Sequence, residues 1–277
     1  MLNPETELNN LVNLLKSGDL AEDFESMKGL RPAFVSIVGS WNYNLADEDS
    51  DVDFKVTYWP TFDHFYGNRF PKVNVVTELL DFTVAPIHHF MDHMLKGNIN
   101  FLEVAYTAKP EYIWIGDGVE KITMIRFMDI MRELIPMNAI KMIMACSGTA
   151  LQKFNRRFKY TESTRILQER SGYNTKEMAH AIRQLYFIKE FLNTGSINLN
   201  SMIGLETVAK MRAGKFNFIE AEELFHVLDN EVSSLVRVGK KWTDRVLDLD
   251  GFGSDLWSEK TAEVESLIKG AIRRNLC

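Results

Sequence analysis

The chain has 277 residues, 45% hydrophobic and 25% charged, with a formal net charge of −6. That length can bury a sizeable core as one large domain or two moderate ones, and the acidic balance removes any global electrostatic case for nucleic-acid binding, leaving only a local basic groove. The two cysteines, Cys146 and Cys277, are too few for a disulfide scaffold and fit a reducing compartment. The opening "MLNPETELNN" shows no secretory pattern, and no apolar run approaches the roughly 18 residues of a membrane span, so a soluble cytoplasmic protein is expected.

In chain order, residues 5–17 carry Leu8, Leu11, Val12, Leu14 and Leu15 at amphipathic helical spacing. "AFVSIVG" (33–39), "DVDFKVTY" (51–58) and "ELLDFTVA" (78–85) are rich in β-branched and aromatic residues and predict strands, with Pro86 closing the last. "IHHFMDHML" and "NFLEVAYT" predict helices separated by Lys96-Gly97-Asn98, a stop followed by a cap. A short strand follows at 111–115. Beyond residue 117 the texture changes to long helical patterns over 118–134, 139–159, 174–193, 204–212, 217–244 and 256–274. Pro136, Gly172, Gly195, Gly214 and the Gly251/Gly253 pair separate them. The predicted architecture is an α+β domain over 1–117 followed by a helical domain over 118–277.

The stretch "IVGSWNYNLADEDSDVDFKV" (37–56) carries the strongest chemical signal. One apolar strand breaks at Gly39-Ser40, and the next opens with Asp51 and Asp53, although carboxylates are poor strand formers and resist burial. Residues two apart on a strand share a face, so these carboxylates stand side by side while Val52 and Phe54 face the other layer. A divalent cation relieves such a like-charge pair, and Mg²⁺ takes one or two protein carboxylates plus substrate phosphates. An isolated Asp-x-Asp reads better as a solvated hairpin; Gly39-Ser40 changes the balance, because glycine lets backbone N–H groups approach a phosphate and serine adds a donor. Asp81, between Leu80 and Phe82 in another predicted strand, adds a third carboxylate where burial is expensive without a partner or a metal.

Gly-Ser, a short loop, Asp-x-Asp and a later strand-borne Asp resemble the DNA polymerase β nucleotidyltransferase superfamily. The text "GSWNYNLADEDSDVDF" is similar, within it, to the RNA-ligase-associated (YcgL-like) nucleotidyltransferases, with Tyr43 and Ser50 matching and Asn44 standing where glycine is usual. Asparagine tolerates left-handed backbone best among the other residues. Two further blocks carry the resemblance: Lys96, Gly97, Asn98, Asn100 and Glu103, and "SGYNTKEMAHAIRQLYFIKEFLNTG"; "MRAGKFNFIEAEEL" is also similar.

The resemblance implies a catalytic domain with a mixed sheet and flanking helices, and transfer of a nucleoside monophosphate from a nucleoside triphosphate to a hydroxyl. Gly39 and Ser40 would hold the β and γ phosphates. Asp51 and Asp53 would bind two Mg²⁺ (or Mn²⁺) ions, with Asp81 binding the catalytic one and helping to deprotonate the acceptor. An RNA 3′ end is the favoured acceptor, a protein hydroxyl the other. Two alternatives use the same residues: a nucleotide-binding regulator without transfer, and a metal-dependent phosphohydrolase.

Three constellations lie outside this unit. Lys176, His180 and Arg183 share one stripe of the helix that Asn174 and Glu177 would cap, opposite Ala181, Leu185, Ile188 and Leu192. By spacing alone this is a solvated face; its place in the family block makes it a triphosphate or nucleic-acid-backbone contact. "LQKFNRRFKY" concentrates Lys153, Arg156, Arg157 and Lys159 among Phe154, Phe158 and Tyr160, with Arg165 and Arg170 beyond, either an RNA footprint or a soluble face. His88, His89 and His93 have the spacing to share zinc but lack a third-ligand pattern.

Overall fold

A computed structural model describes residues 3–19, 27, 29–48, 50–76, 81–107, 109–159, 165–200, 202–247 and 251–276. The chain divides into two compact units, Met1–Asn138 with Asp255–Cys277, and Ala139–Ser254. The division thus falls after the helix that starts at Gly118 rather than before it, because that helix packs on the sheet, and the C-terminal stretch joins the same unit.

The first unit is α+β. Its strands are β1 (Arg31–Val38), β2 (Asp53–Trp59), β3 (Val73–Val76), β4 (Asp81–Pro86) and β5 (Ile113–Ile115), in the spatial order β3-β4-β2-β1-β5. β2 and β4 are parallel and every other pair is antiparallel, so the sheet is mixed. The α-helices described before residue 138 are α1 (Pro4–Ser17), α2 (Phe62–Tyr66), α3 (Ile87–Leu95), α4 (Ile99–Ala105) and α5 (Gly118–Met137), with a 3-10 turn at Pro110–Tyr112 leading into β5. Asn3 caps α1, its side-chain oxygen accepting from the Glu5 and Thr6 amides, and Gly18 ends it in the left-handed region.

Strand alternation sorts the sheet into two unlike faces. On one, Val35, Ile37, Phe54, Val56, Phe82 and Val84 pack with Leu8, Leu11 and Val12 of α1. On the other stand Ser36 and Val38 of β1, Asp53 and Lys55 of β2, and Asp81 and Thr83 of β4. Further along that face Phe34 meets Phe90 of α3 edge-on at 4.7 Å, and Phe90 lies against Phe101 of α4 and Phe127 of α5. The polar end of this second face is therefore the part that α3 and α4 border without replacing it by an apolar core.

The second unit holds α6 (Ala139–Asn155), α7 (Arg165–Ser171), α8 (Thr175–Thr194), α9 (Leu205–Arg212) and α10 (Phe218–Leu247); the last helix, α11 (Gly251–Leu276), groups with the first unit from Asp255 onward. α8 is its centre, packed by α6, α9 and α10. Asn174 caps α8 as expected, accepting from the Glu177 amide, and Gly195 closes it at φ +69°. Among the described residues no single helix is long and apolar enough to cross a membrane.

Candidate active site

The site grows from the ends of three neighbouring strands. β1 ends at Val38, and Gly39 turns the chain at φ +69° into a tight loop. The loop is pinned at several points. The Leu45 amide donates to the Ser40 carbonyl at 2.9 Å, the Trp41 indole to the Asp51 carbonyl at 3.0 Å, and the Asn42 side-chain amide to the Glu103 carbonyl at 2.7 Å. Asn44 does sit in the left-handed region, at φ +55°, which explains how it stands in a glycine's place. The Ser50 hydroxyl donates to the Asp47 carboxylate at 2.6 Å, so the acidic loop is partly tied to itself.

The ladder begins at Asp53, not Asp51, so only one of the two carboxylates expected to open the strand is hydrogen-bonded into it. Asp51 is exposed on the approach, although the alternation already holds there: Val52 is buried in the core and Asp53 half-buried on the opposite side. β4 is described from Asp81 onward; residues 77–80, including Leu80, on which the expected mid-strand placement of Asp81 depends, lie outside the described residues. The parallel register pairs Asp53 directly with Asp81. Partners in register project to the same face of the sheet, so two carboxylates from adjacent strands stand together beside Gly39. A gathered trio is not formed: among the described residues no group of three or more His, Cys, Asp or Glu is placed to hold a metal ion.

Gly39 also has a use that its sequence context does not show. A Cβ built there would collide with Oδ2 of Asp53, so the missing side chain makes room for the carboxylate. Its N–H donates to Oε2 of Glu103 at 3.3 Å, and Ser40 beside it is half-buried. Two carboxylates side by side, one against a glycine turn, are the number of protein ligands Mg²⁺ ordinarily takes when phosphate oxygens supply others. Asp53 and Asp81 fit that ion; His88, His89 and His93 do not form a zinc site. His93 instead stacks on Phe101 at 4.5 Å, and His88 meets Phe70 edge-on at 4.7 Å.

Lys55 was not singled out by motif, and Glu103 only as a member of a similar block, with no role. Lys55 follows Asp53 by two residues on the same face, and its ammonium pairs with Oε1 of Glu103 at 3.2 Å, both side chains nearly buried. Glu103 thereby ties α4 to the Gly39 turn and to β2 at once. The only sequence signal was the same two-residue alternation that marked the aspartates, and nothing local shows that Glu103 returns to it. Glu103→Ala would leave a buried ammonium without its counter-charge, at an expected cost of about 3–5 kcal/mol, measurable by urea denaturation.

The remaining candidates lie in the helical unit. Along α8, Lys176 is exposed, His180 half-buried and Arg183 buried. The row is therefore not a solvated face, because α8 is enclosed by its neighbours well beyond the Ala181/Leu185/Ile188 stripe. The denser basic patch is engaged internally. Lys153 and Arg156 pair with Glu177 at 3.1 and 3.5 Å, while Arg157 pairs with Glu222 at 2.8 Å and lies 4.0 Å over the Phe154 ring. Tyr160 lies outside the described residues.

His180 titrates well below its ordinary range, because it is withdrawn from water and because Arg183, Lys153, Lys176 and Arg212 oppose a further positive charge. Unfolding restores an ordinary imidazole, so below about pH 6.5 the unfolded chain binds more protons than the folded one. The stability this group supplies is complete above that pH and is lost as pH falls toward the depressed folded value. The urea midpoint is expected to drop between pH 7 and pH 5, and His180→Gln to make the drop shallower; an unchanged slope would show that His180 is not its source.

No family model matches the chain, and no curated protein matches it. A search of solved structures finds similarity to a nucleotidyltransferase-like protein from Exiguobacterium sibiricum, at 12% identity and a TM-score of 0.30, covering 94% of this chain and 91% of that one.

Proposed function

We propose that the protein is a nucleotidyltransferase and that the Asp53–Asp81 pair is its catalytic centre. The observation that supports this best is the parallel register that sets Asp53 beside Asp81, with Gly39 making room for the Asp53 carboxylate. In the reaction, an acceptor hydroxyl attacks the α-phosphorus of a nucleoside triphosphate in line. The bond from the acceptor oxygen to phosphorus forms, the α–β bridging bond breaks, and pyrophosphate leaves with its electron pair. Asp81 takes the hydroxyl proton, and Asp53 and Asp51 face the triphosphate. Bound at Asp53 and Asp81, Mg²⁺ would neutralise the charge that develops on the phosphoryl oxygens and on the leaving group. Ser40 and the Gly39 turn border the phosphates, and Glu103 positions that turn through the Gly39 N–H.

The test is incubation of the protein with α-labelled nucleoside triphosphates and Mg²⁺ in the presence of total RNA and bulk protein. Transfer predicts label on an acceptor together with pyrophosphate. Retention of intact nucleotide, or release of orthophosphate alone, would replace this function by binding or by hydrolysis.

A further inference from the structure

The second face of the sheet continues past the carboxylates into a groove of about 400 Å³, large enough for a nucleotide-sized ligand. The register defines its floor. Asp81 and Asp53 form one row across β4 and β2, and Asn74, Thr83 and Lys55 form the next, two residues further along. Two residues of strand span ~7 Å. The groove is walled by Lys72 ahead of β3, by His89 of α3 and by Phe101 of α4.

The charge of this groove runs against that of the chain. In a protein of net charge −6, its lining includes two lysines and no aspartate or glutamate. Lys55 shares its charge with Glu103 behind it, whereas Lys72 is exposed, its ammonium 3.1 Å from Nδ1 of His89. With Nδ1 accepting from Lys72, His89 carries its proton on Nε2 and offers a neutral donor. Burial and the nearby His93 and Lys72 charges lower its pKa to about 4, so it stays neutral at ordinary pH. The groove thus combines cations, neutral donors in Asn74, Thr83 and His89, and the flat face of Phe101.

We propose that this groove is the acceptor subsite, and that the acceptor is a phosphate ester with a free hydroxyl about one pentose away from its phosphate. The phosphate lies against Lys72 and Lys55, and the hydroxyl reaches the Asp53–Asp81 row. This rests on the transferase function proposed above, but the binding it claims is separable from catalysis. The phosphate can be the monoester of a free sugar phosphate or the 5′-phosphodiester of the 3′-terminal residue of a nucleic-acid strand.

Calorimetric titration without nucleoside triphosphate tests it, using ribose 5-phosphate, ribose, and a 5′-phosphorylated RNA mononucleotide and decanucleotide as separate probes. Ribose 5-phosphate is expected to bind and ribose not to bind. Lys72→Gln, an exposed site where folding is not at risk, should weaken phosphate binding at least tenfold, and Asn74→Ala should weaken it less. Stronger binding of the mononucleotide than of the decanucleotide identifies a free acceptor; the reverse identifies a strand terminus. Asp53→Asn should leave this binding intact or tighter, since it removes a like charge near the phosphate. Equal binding by wild type and Lys72→Gln, or no binding of any phosphorylated probe, would overturn the subsite. Binding that depends on Lys72 with no label transferred to the bound compound would instead support the subsite and count against the transferase function.

Discussion

Asp53→Asn and Asp81→Asn, made singly, are each expected to reduce nucleotidyl transfer by about 10²–10³-fold or more, the range seen when one preorganised charge-stabilising group is removed from an active site. The reason lies in the register. Asp53 and Asp81 are direct partners on parallel strands, so neither has a substitute at that position on the sheet. Two carboxylates so placed repel one another, and Asp→Asn removes that charge without changing side-chain size. Thermal stability should therefore change far less than activity does. Asp92→Asn, on the exposed side of α3, makes the same chemical change away from the row and should alter neither. Initial rates of pyrophosphate release, set beside melting temperatures, check both halves of the expectation. Parallel losses of activity and stability would mean that Asp53 and Asp81 serve the fold instead.

The second large effect is expected at Gly39. Gly39→Ala has two separate consequences. A side chain in the left-handed region costs about 1–2 kcal/mol, and the new methyl group collides with Oδ2 of Asp53. The first lowers stability only; the second pushes the catalytic carboxylate off its place in the row and should lower transfer at least as far as Asp53→Asn does. Gly18→Ala separates them, because Gly18 has φ +83° with open space where a Cβ would go. Comparable losses in melting temperature are expected for the two variants, with activity lost only at Gly39. If Gly39→Ala keeps wild-type turnover, the carboxylate does not depend on that turn.

Much of this architecture was legible in the sequence. The strands around Phe34, Phe54 and Phe82 announced themselves through β-branched and aromatic runs, and α1, α3 and α8 through their periodicity and caps. What escaped was short or half-exposed. β3 is four residues long with only Val75 buried, and α2 is five residues with none, so neither carries enough apolar signal to stand out from a loop. The aspartates could be chosen by type and spacing, but their grouping could not. A strand's register is set by which faces are buried, and that places Asp81 opposite Asp53 and leaves Asp51 outside the ladder. The partners of Glu103 are the clearest case of what no local pattern contains. Glu103 meets Gly39 and Lys55 only because α4 packs back over the sheet. Helical spacing alone is a poor guide on α8 for a related reason. A stripe of Lys176, His180 and Arg183 looks solvated by helical spacing, yet the central helix of a bundle is enclosed on several sides and Arg183 is buried with it.

The fate of the γ-phosphate tests the central claim most directly. With γ-labelled nucleoside triphosphate, Mg²⁺ and the acceptor mixture, wild-type protein is expected to release the label as pyrophosphate, and Asp53→Asn to release almost none. Label appearing as orthophosphate, or as pyrophosphate at equal rates from both proteins, would contradict nucleotidyl transfer at the Asp53–Asp81 row.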